Sequence, residues 1–241
     1  MDDKGTMEAA SQAEAGRGAV RYGRPPRGLA GQVEERILDA AGRIFLERGF
    51  QGASVDEIAE AASAGKPTIY ARFPNKQALF SAVVERLVRR NTSLDAFACA
   101  GRSVEARLDA LAALILTRVL TVETIGLIRV AVAEALRFPD LATSVSCMGR
   151  ERPKEAVARI FSELAASSEL GALPAFNPEK LHDTARRFLD VVVLPMLMRA
   201  LFGEDLAALR AEIKPHAARS VAFFLDACGH GGPPPPGSAK P

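Results

Sequence analysis

Between Ala61 and Val84 the chain carries no acidic side chain, while Lys66, Arg72 and Lys76 supply cations and Thr68 and Tyr70 offer hydroxyl groups. Donors and positive charges unopposed over that length suit a polyanion, because each can meet a phosphate oxygen and no like charge repels the approach. The acids just upstream, Asp56, Glu57 and Glu60, belong to a different local device. Ser54-Val55-Asp56-Glu57 is the pattern of a helix start, in which the Ser54 hydroxyl accepts from the third backbone N–H and Glu57 reaches back.

The elements that must position these groups follow from hydrophobic spacing. Val33, Ile37, Ala41, Ile44 and Phe45 mark one face of a first helix, which the spacing ends at Arg48-Gly49. A second, short helix opens at Ser54 and buries Ile58, Ala59 and Ala62. After the turn Ser63-Ala64-Gly65, Pro67 suits the first position of a third helix, where its missing N–H costs nothing. That helix runs to about Arg72 and turns Ile69 and Phe73 inward. Asn75 then caps a fourth helix whose apolar face is Leu79, Phe80, Val83, Val84 and Leu87. Two helices at 54–61 and 67–73 joined by a tight turn form the arrangement in which the first crosses a DNA backbone and the second enters the major groove.

The rest of the chain sets the frame. Its 241 residues are 48% hydrophobic and 25% charged, which excludes a wholly disordered, collagen-like or disulfide-scaffold protein. Lys and Arg number 31 against 29 Asp and Glu, so any nucleic-acid surface must be local. Helix formers dominate and no alternating strand pattern occurs, which predicts an all-α fold. Cys99, Cys147 and Cys228 are far apart and odd in number, as free thiols in a reducing compartment would be. No signal peptide or membrane span is evident, and the expectation is a cytoplasmic protein without a membrane partner. Residues 1–30 read as a disordered basic arm, with Arg17, Arg21, Arg24 and Arg27 spaced along it; it is either a solvated tail or a minor-groove arm. Residues 229–241, with four consecutive prolines, read as a loose tail. Further helices are expected at 104–120, 122–138, 153–166, 178–202 and 206–228, punctuated at Pro139 and Gly171.

Ile37 through Leu79 resembles the DNA-binding domain of the TetR family of bacterial transcriptional regulators. The matching stretches are Ile37-Leu38-Asp39-Ala40-Ala41, Phe45-Leu46-Glu47-Arg48-Gly49-Phe50, Ser54-Val55-Asp56-Glu57-Ile58-Ala59, Lys66-Pro67-Thr68-Ile69-Tyr70-Ala71-Arg72-Phe73 and Asn75-Lys76-Gln77-Ala78-Leu79. Further on, Ala131-Val132-Ala133-Glu134-Ala135-Leu136-Arg137-Phe138-Pro139 is similar to one subgroup of the family's C-terminal domains, the AefR-like one. The resemblance implies a helix-turn-helix domain at 31–77 and a helical effector-binding and dimerisation domain at 78–228. It gives Ser54, Tyr70 and Lys76 the role of phosphate contacts, which position without reading sequence. Lys66, Pro67, Thr68 and Arg72 fall at the front and outer side of the recognition helix. Arg72 is the candidate for bidentate guanine reading, and Thr68 for a thymine methyl or a phosphate. Ala71 is small where many relatives carry a larger residue, and Pro67 stands where glycine is frequent. Tyr70 as a packing residue, Lys76 as a solvated charge and Arg72 as an intramolecular ion-pair partner are the alternatives.

Two further tasks are implied. For homodimerisation, Leu181, Ala185, Phe188, Leu189, Val192 and Met196 form one stripe, and Leu206, Leu209, Ile213, Ala217, Val221 and Phe224 another. Such stripes make a four-helix interface between two copies, or face only the chain's own core. A two-fold dimer implies a palindromic operator on double-stranded DNA. For sensing, Thr117, Arg118, Thr121, Arg129 and Glu134 interrupt apolar helices and are the candidate polar contacts of a small, apolar effector. The implied function is a ligand-responsive regulator, usually a repressor. The alternative is a helical dimeric small-molecule-binding protein without DNA binding. His182, His216 and His230 have no metal spacing, and no phosphate loop or nucleophile elbow occurs, so neither an enzyme nor a cofactor is expected.

Overall fold

The computed structural model describes residues 27–94, 103–166 and 168–229, and among these it contains ten α-helices and no strand. They are α1 (Arg27–Gly52), α2 (Val55–Ala61), α3 (Lys66–Tyr70), α4 (Lys76–Thr92), α5 (Val104–Val119), α6 (Val122–Ala133), α7 (Pro139–Ala166), α8 (Leu181–Leu201), α9 (Leu206–Ala211) and α10 (Ile213–Ala227). The expected arm at 1–26, Cys99 and the tail beyond Gly229 lie outside the described residues. Arg27 to Ala30, expected in the arm, instead open α1.

Gly49 breaks α1 in the left-handed region at φ 70°, a conformation glycine adopts without steric cost. The break turns Phe50 inward, where its ring meets Phe45, Phe80 and, across the molecule, Phe138 at 5.3 Å between centroids. These rings sit in a first core built from α1 to α4, with Ile37, Ile58, Ile69 and Leu79 fully buried. Leu127 and Ala131 of α6 and Leu141 and Val145 of α7 complete it. A Cβ on Gly126 of α6 would lie 2.4 Å from the Leu46 side chain of α1, so the two helices approach too closely for alanine without a shift.

A second core joins α5, the C-terminal half of α7, α8 and α10 around Phe161, Phe188 and Phe224. Pro139 stands between α6 and α7, as expected, and begins α7, where its missing N–H costs nothing. The structure corrects two other readings. Pro153, expected to start a helix, lies inside α7 and leaves the Gly149 carbonyl without its usual N–H donor. The long final segment is broken at Glu212, so that Pro215 falls in the first turn of α10.

Helix α4 is the rod between the two cores. Arg86 pairs with Glu35 and Asp39 of α1 at 3.0 and 2.7 Å, Glu85 with Arg152 of α7 at 2.6 Å, and Arg90 with Glu123 of α6.

Candidate nucleic-acid interface

Helix starts and stops place the cationic segment on the surface. The Ser54 hydroxyl accepts from the Glu57 backbone N–H at 3.1 Å, as the capping pattern requires, while the Glu57 carboxylate lies 3.3 Å from Arg48. Helix α2 ends in a Schellman turn: Ala64 N–H donates to the Ala59 carbonyl and Ser63 N–H to that of Glu60. Ser63 occupies the left-handed position of that turn at φ 47°, where glycine is the usual residue. Gly65 then caps α3 with Pro67 in its first turn, and only Ile69 of α3 is buried. Phe73 follows it into the core. Lys66, Pro67, Tyr70 and Ala71 are exposed on one short protruding element, and Thr68 and Arg72 are half-buried beside them. Tyr70 stands 44% exposed.

The cations are not idle in the absence of a polyanion. Lys66 Nζ lies 2.7 Å from Asp56 of α2, and that hydrogen-bonded pair raises its pKa above the ordinary lysine value. Arg72 turns back along α3, donating to the Thr68 carbonyl at 3.4 Å with Glu34 of α1 at 3.9 Å. The Lys66 pair is solvent-exposed and the Arg72–Glu34 distance is long, the geometry of weak surface ion pairs. Lys76 is different. Its ammonium donates to the Ala53 and Gln51 carbonyls at 3.0 and 3.3 Å and sits 4.8 Å above the Phe50 ring. Desolvation there lowers its pKa. It closes the end of α1 at Gln51 and Ala53, the residues just before the Ser54 cap.

Each of the five residues expected to meet an effector has an intramolecular partner. Arg118 donates to the Asn91 and Ser93 carbonyls at the end of α4, and Arg129 to the Ala200 and Leu201 carbonyls at the end of α8. Thr121 caps α6, Thr117 bonds the Ala113 carbonyl behind it, and Glu134 accepts from Gln51 at 2.8 Å. None of the five lines the apolar cavity of about 150 Å³ between α4, α6, α7 and α8. That cavity is walled by Leu87, Val88, Leu127, Ile128, Val193 and Leu197, with Asn91, Thr92 and Thr124 as its polar members. Nothing in the periodicity marks those three, since their exposure depends on which helices meet. A larger open cleft of about 450 Å³ between the starts of α4 and α7 mixes Asn75, Gln77, Arg137 and Asp140 with Phe138 and Leu141.

Of the two readings left open for the α8 and α10 stripes, the structure shows the inward one. Leu181, Ala185, Phe188, Val192 and Met196 of α8 and Ile213, Ala217, Val221 and Phe224 of α10 are buried in the chain's own second core, as is Leu209. Leu189 and Leu206 pack against it. The apolar groups left outside here are Leu194 and Met198 of α8, Phe202 just after its end and 84% exposed, and Phe223 of α10. Among the described residues no single helix is long and apolar enough to cross a membrane, and no cluster of three His, Cys, Asp or Glu side chains could hold a metal ion.

A sequence profile of bacterial regulatory proteins of the tetR family matches residues 37–83, and a profile of the C-terminal domain of AefR-like transcriptional repressors matches residues 106–229, more than half of the chain. A TetR-family transcriptional regulator from Mesorhizobium loti MAFF303099 superposes with a TM-score of 0.69 at 26% identity, over 82% of this chain and 97% of that one. The flavonoid-responsive regulator FrrA superposes with a TM-score of 0.61 at 27% identity, with the same coverage of each chain. The helix-turn-helix transcriptional repressor ComR of Escherichia coli K12 is 39% identical over 56 residues, which are 23% of this chain and 27% of ComR, so the likeness spans about a quarter of that relative.

Proposed function

Because the chain belongs to the TetR family of bacterial transcription regulators, we propose that it acts as a cytoplasmic homodimeric repressor. It binds a palindromic operator through α3 and is released by a small apolar effector. The observation that carries the reading is α3 itself, a five-residue helix that buries only Ile69 and presents Lys66, Pro67, Tyr70 and Ala71 outward. Residues 31–77 then contact DNA, and 78–228 hold the effector and the second copy. The Ser54 oxygen accepts from Glu57 N–H, which leaves its proton to donate to a phosphate. Lys66 and Arg72 exchange their weak carboxylate partners for phosphate or guanine. The outward face of α8 and α10, Leu194, Met198, Phe202 and Phe223, is where a second copy buries its equivalent, in place of the inward stripes expected from periodicity. The effector's apolar part takes the cavity between α4, α6, α7 and α8, and it releases DNA only by binding one dimer spacing better than the other.

A gel-shift assay against the DNA flanking the protein's own gene tests the reading, with a salt-sensitive, palindrome-specific complex as the expected result. Arg72→Ala relaxes base preference, by ~1–3 kcal/mol of lost discrimination. Lys76→Ala weakens all sequences alike and lowers the salt slope by ~1. A second reading, a ligand-binding protein that no longer binds DNA, is favoured by the carboxylates that already hold Lys66 and Arg72. Effector binding without any DNA complex at low salt selects it.

A further inference from the structure

The apolar cavity has a neighbour of opposite chemistry. Thr92 at the end of α4 lines both that cavity and an open cleft of about 410 Å³, and along α7 Pro153 faces the first while Arg152 faces the second. The cleft holds the guanidinium groups of Arg152 and Arg159 and the imidazole of His182, against the single carboxylate of Glu155. Arg152 is shared with Glu85 at 2.6 Å, whereas among the described residues no carboxylate lies within ion-pair distance of Arg159.

We infer that these two spaces form one site for a small apolar monocarboxylate, with its ring or alkyl chain in the cavity and its carboxylate in the cleft on Arg159 and Arg152. A cavity of this volume, walled by aliphatic side chains, is the size that encloses a single benzene ring. The apolar part is therefore one ring or about six carbons. A guanidinium matches a carboxylate with two parallel hydrogen bonds, which orients the molecule as well as holding it. Glu155 and Glu85 repel further negative charge, so one carboxylate fits and a dianion does not. His182 closes the rim. The inference deepens the regulator reading and rests on it for its consequence, that filling the site alters α4.

Calorimetric titration of the full-length protein with benzoate and hexanoate, beside their neutral amides benzamide and hexanamide, tests it. The acids bind about tenfold more tightly than the amides, the ratio expected for one charge-assisted contact. Arg159→Gln removes that preference while leaving the amides unchanged, Arg159→Lys restores part of it, and Glu155→Gln tightens the acids alone. Val193→Phe, checked for its native circular dichroism and melting, excludes acids and amides together; should it not fold, Leu197→Phe fills the same wall. Equal binding of acid and amide, acid binding indifferent to Arg159→Gln, or no binding of any probe at millimolar concentration overturns the inference. None of these measurements contains DNA. Failure to bind DNA with the acid preference intact sinks the regulator reading alone, and DNA binding without an acid preference sinks this inference alone.

Discussion

The two cores are built from the same kinds of residue, yet they are organised by different rules. Around α1 to α4 each turn is fixed within a few residues: Ser54 by Glu57, α2 by its Schellman turn, Asn75 by Ala78. The protruding α3 is a consequence of those local stops. Around α5, α7, α8 and α10 the decisive contacts are distant in sequence, such as Arg129 to the Ala200 carbonyl or Phe161 against Phe188 and Phe224. An amphipathic helix there states that one face is buried and does not state against what. The first core leaves α3 exposed, and the apolar cavity lies between the two cores, walled by Leu87 and Leu127 of the first and by Val193 and Leu197 packed on the second.

Four changes break or sharpen that contrast. Phe188→Ala, deep in the second core, costs ~3–5 kcal/mol in chemical denaturation. The loss is independent of chain concentration; if the variant keeps its stability and only loses oligomeric state, the inward assignment of that stripe is reversed. Met198→Asp with Phe202→Asp, on the outward face, leaves the fold intact and yields monomers in sedimentation velocity, because two carboxylates cannot be buried unpaired between copies. Dimers that persist unchanged place the interface elsewhere. In the first core, Ser63→Gly relieves a left-handed serine and raises stability by less than ~1 kcal/mol, offset by glycine's greater freedom when unfolded. A loss of stability on melting would show that the Ser63 side chain matters more than its backbone.

The smallest effect lies in two lysines of the same interface. The pKa of Lys76 is lowered by desolvation, so between that value and 10.5 the unfolded chain binds a proton that the folded chain has released. Its contribution to stability therefore rises with pH across that window, and Lys76→Met removes the rise. The pKa of Lys66 is raised by its Asp56 pair, so its contribution is present below 10.5 and disappears as pH climbs through the raised value. Lys66→Met removes that fall. Denaturation curves between neutral and strongly alkaline pH check both signs, and equal slopes for the two variants would contradict the distinction.

What the sequence made legible follows the same division. The caps at Ser54 and Asn75, Pro67 in the first turn of α3, and the buried face of α4 at Leu79, Phe80, Val83, Val84 and Leu87 are all local patterns that the structure reproduces. The acids that hold Lys66 and Arg72 were hidden because Asp56 and Glu34 lie on other helices, outside the acid-free run. Arg118, Thr121, Arg129 and Glu134 looked like polar intrusions in apolar helices. Backbone carbonyls and N–H groups at helix ends hold Arg118, Thr121 and Arg129, and the Gln51 side chain holds Glu134, none of which periodicity reveals. Pro139 marks a helix boundary from its type alone, whereas the part of α7 over 139–152 that it opens carries only a weak periodic signal of its own.

Hydroxyl-radical footprinting of the protein on the DNA upstream of its gene tests the central claim most directly. The account predicts two protected patches on one face of the duplex, with centres ~34–36 Å apart, where two copies of α3 enter successive major grooves. No protection at low salt, or a single protected patch without a symmetric mate, would contradict it.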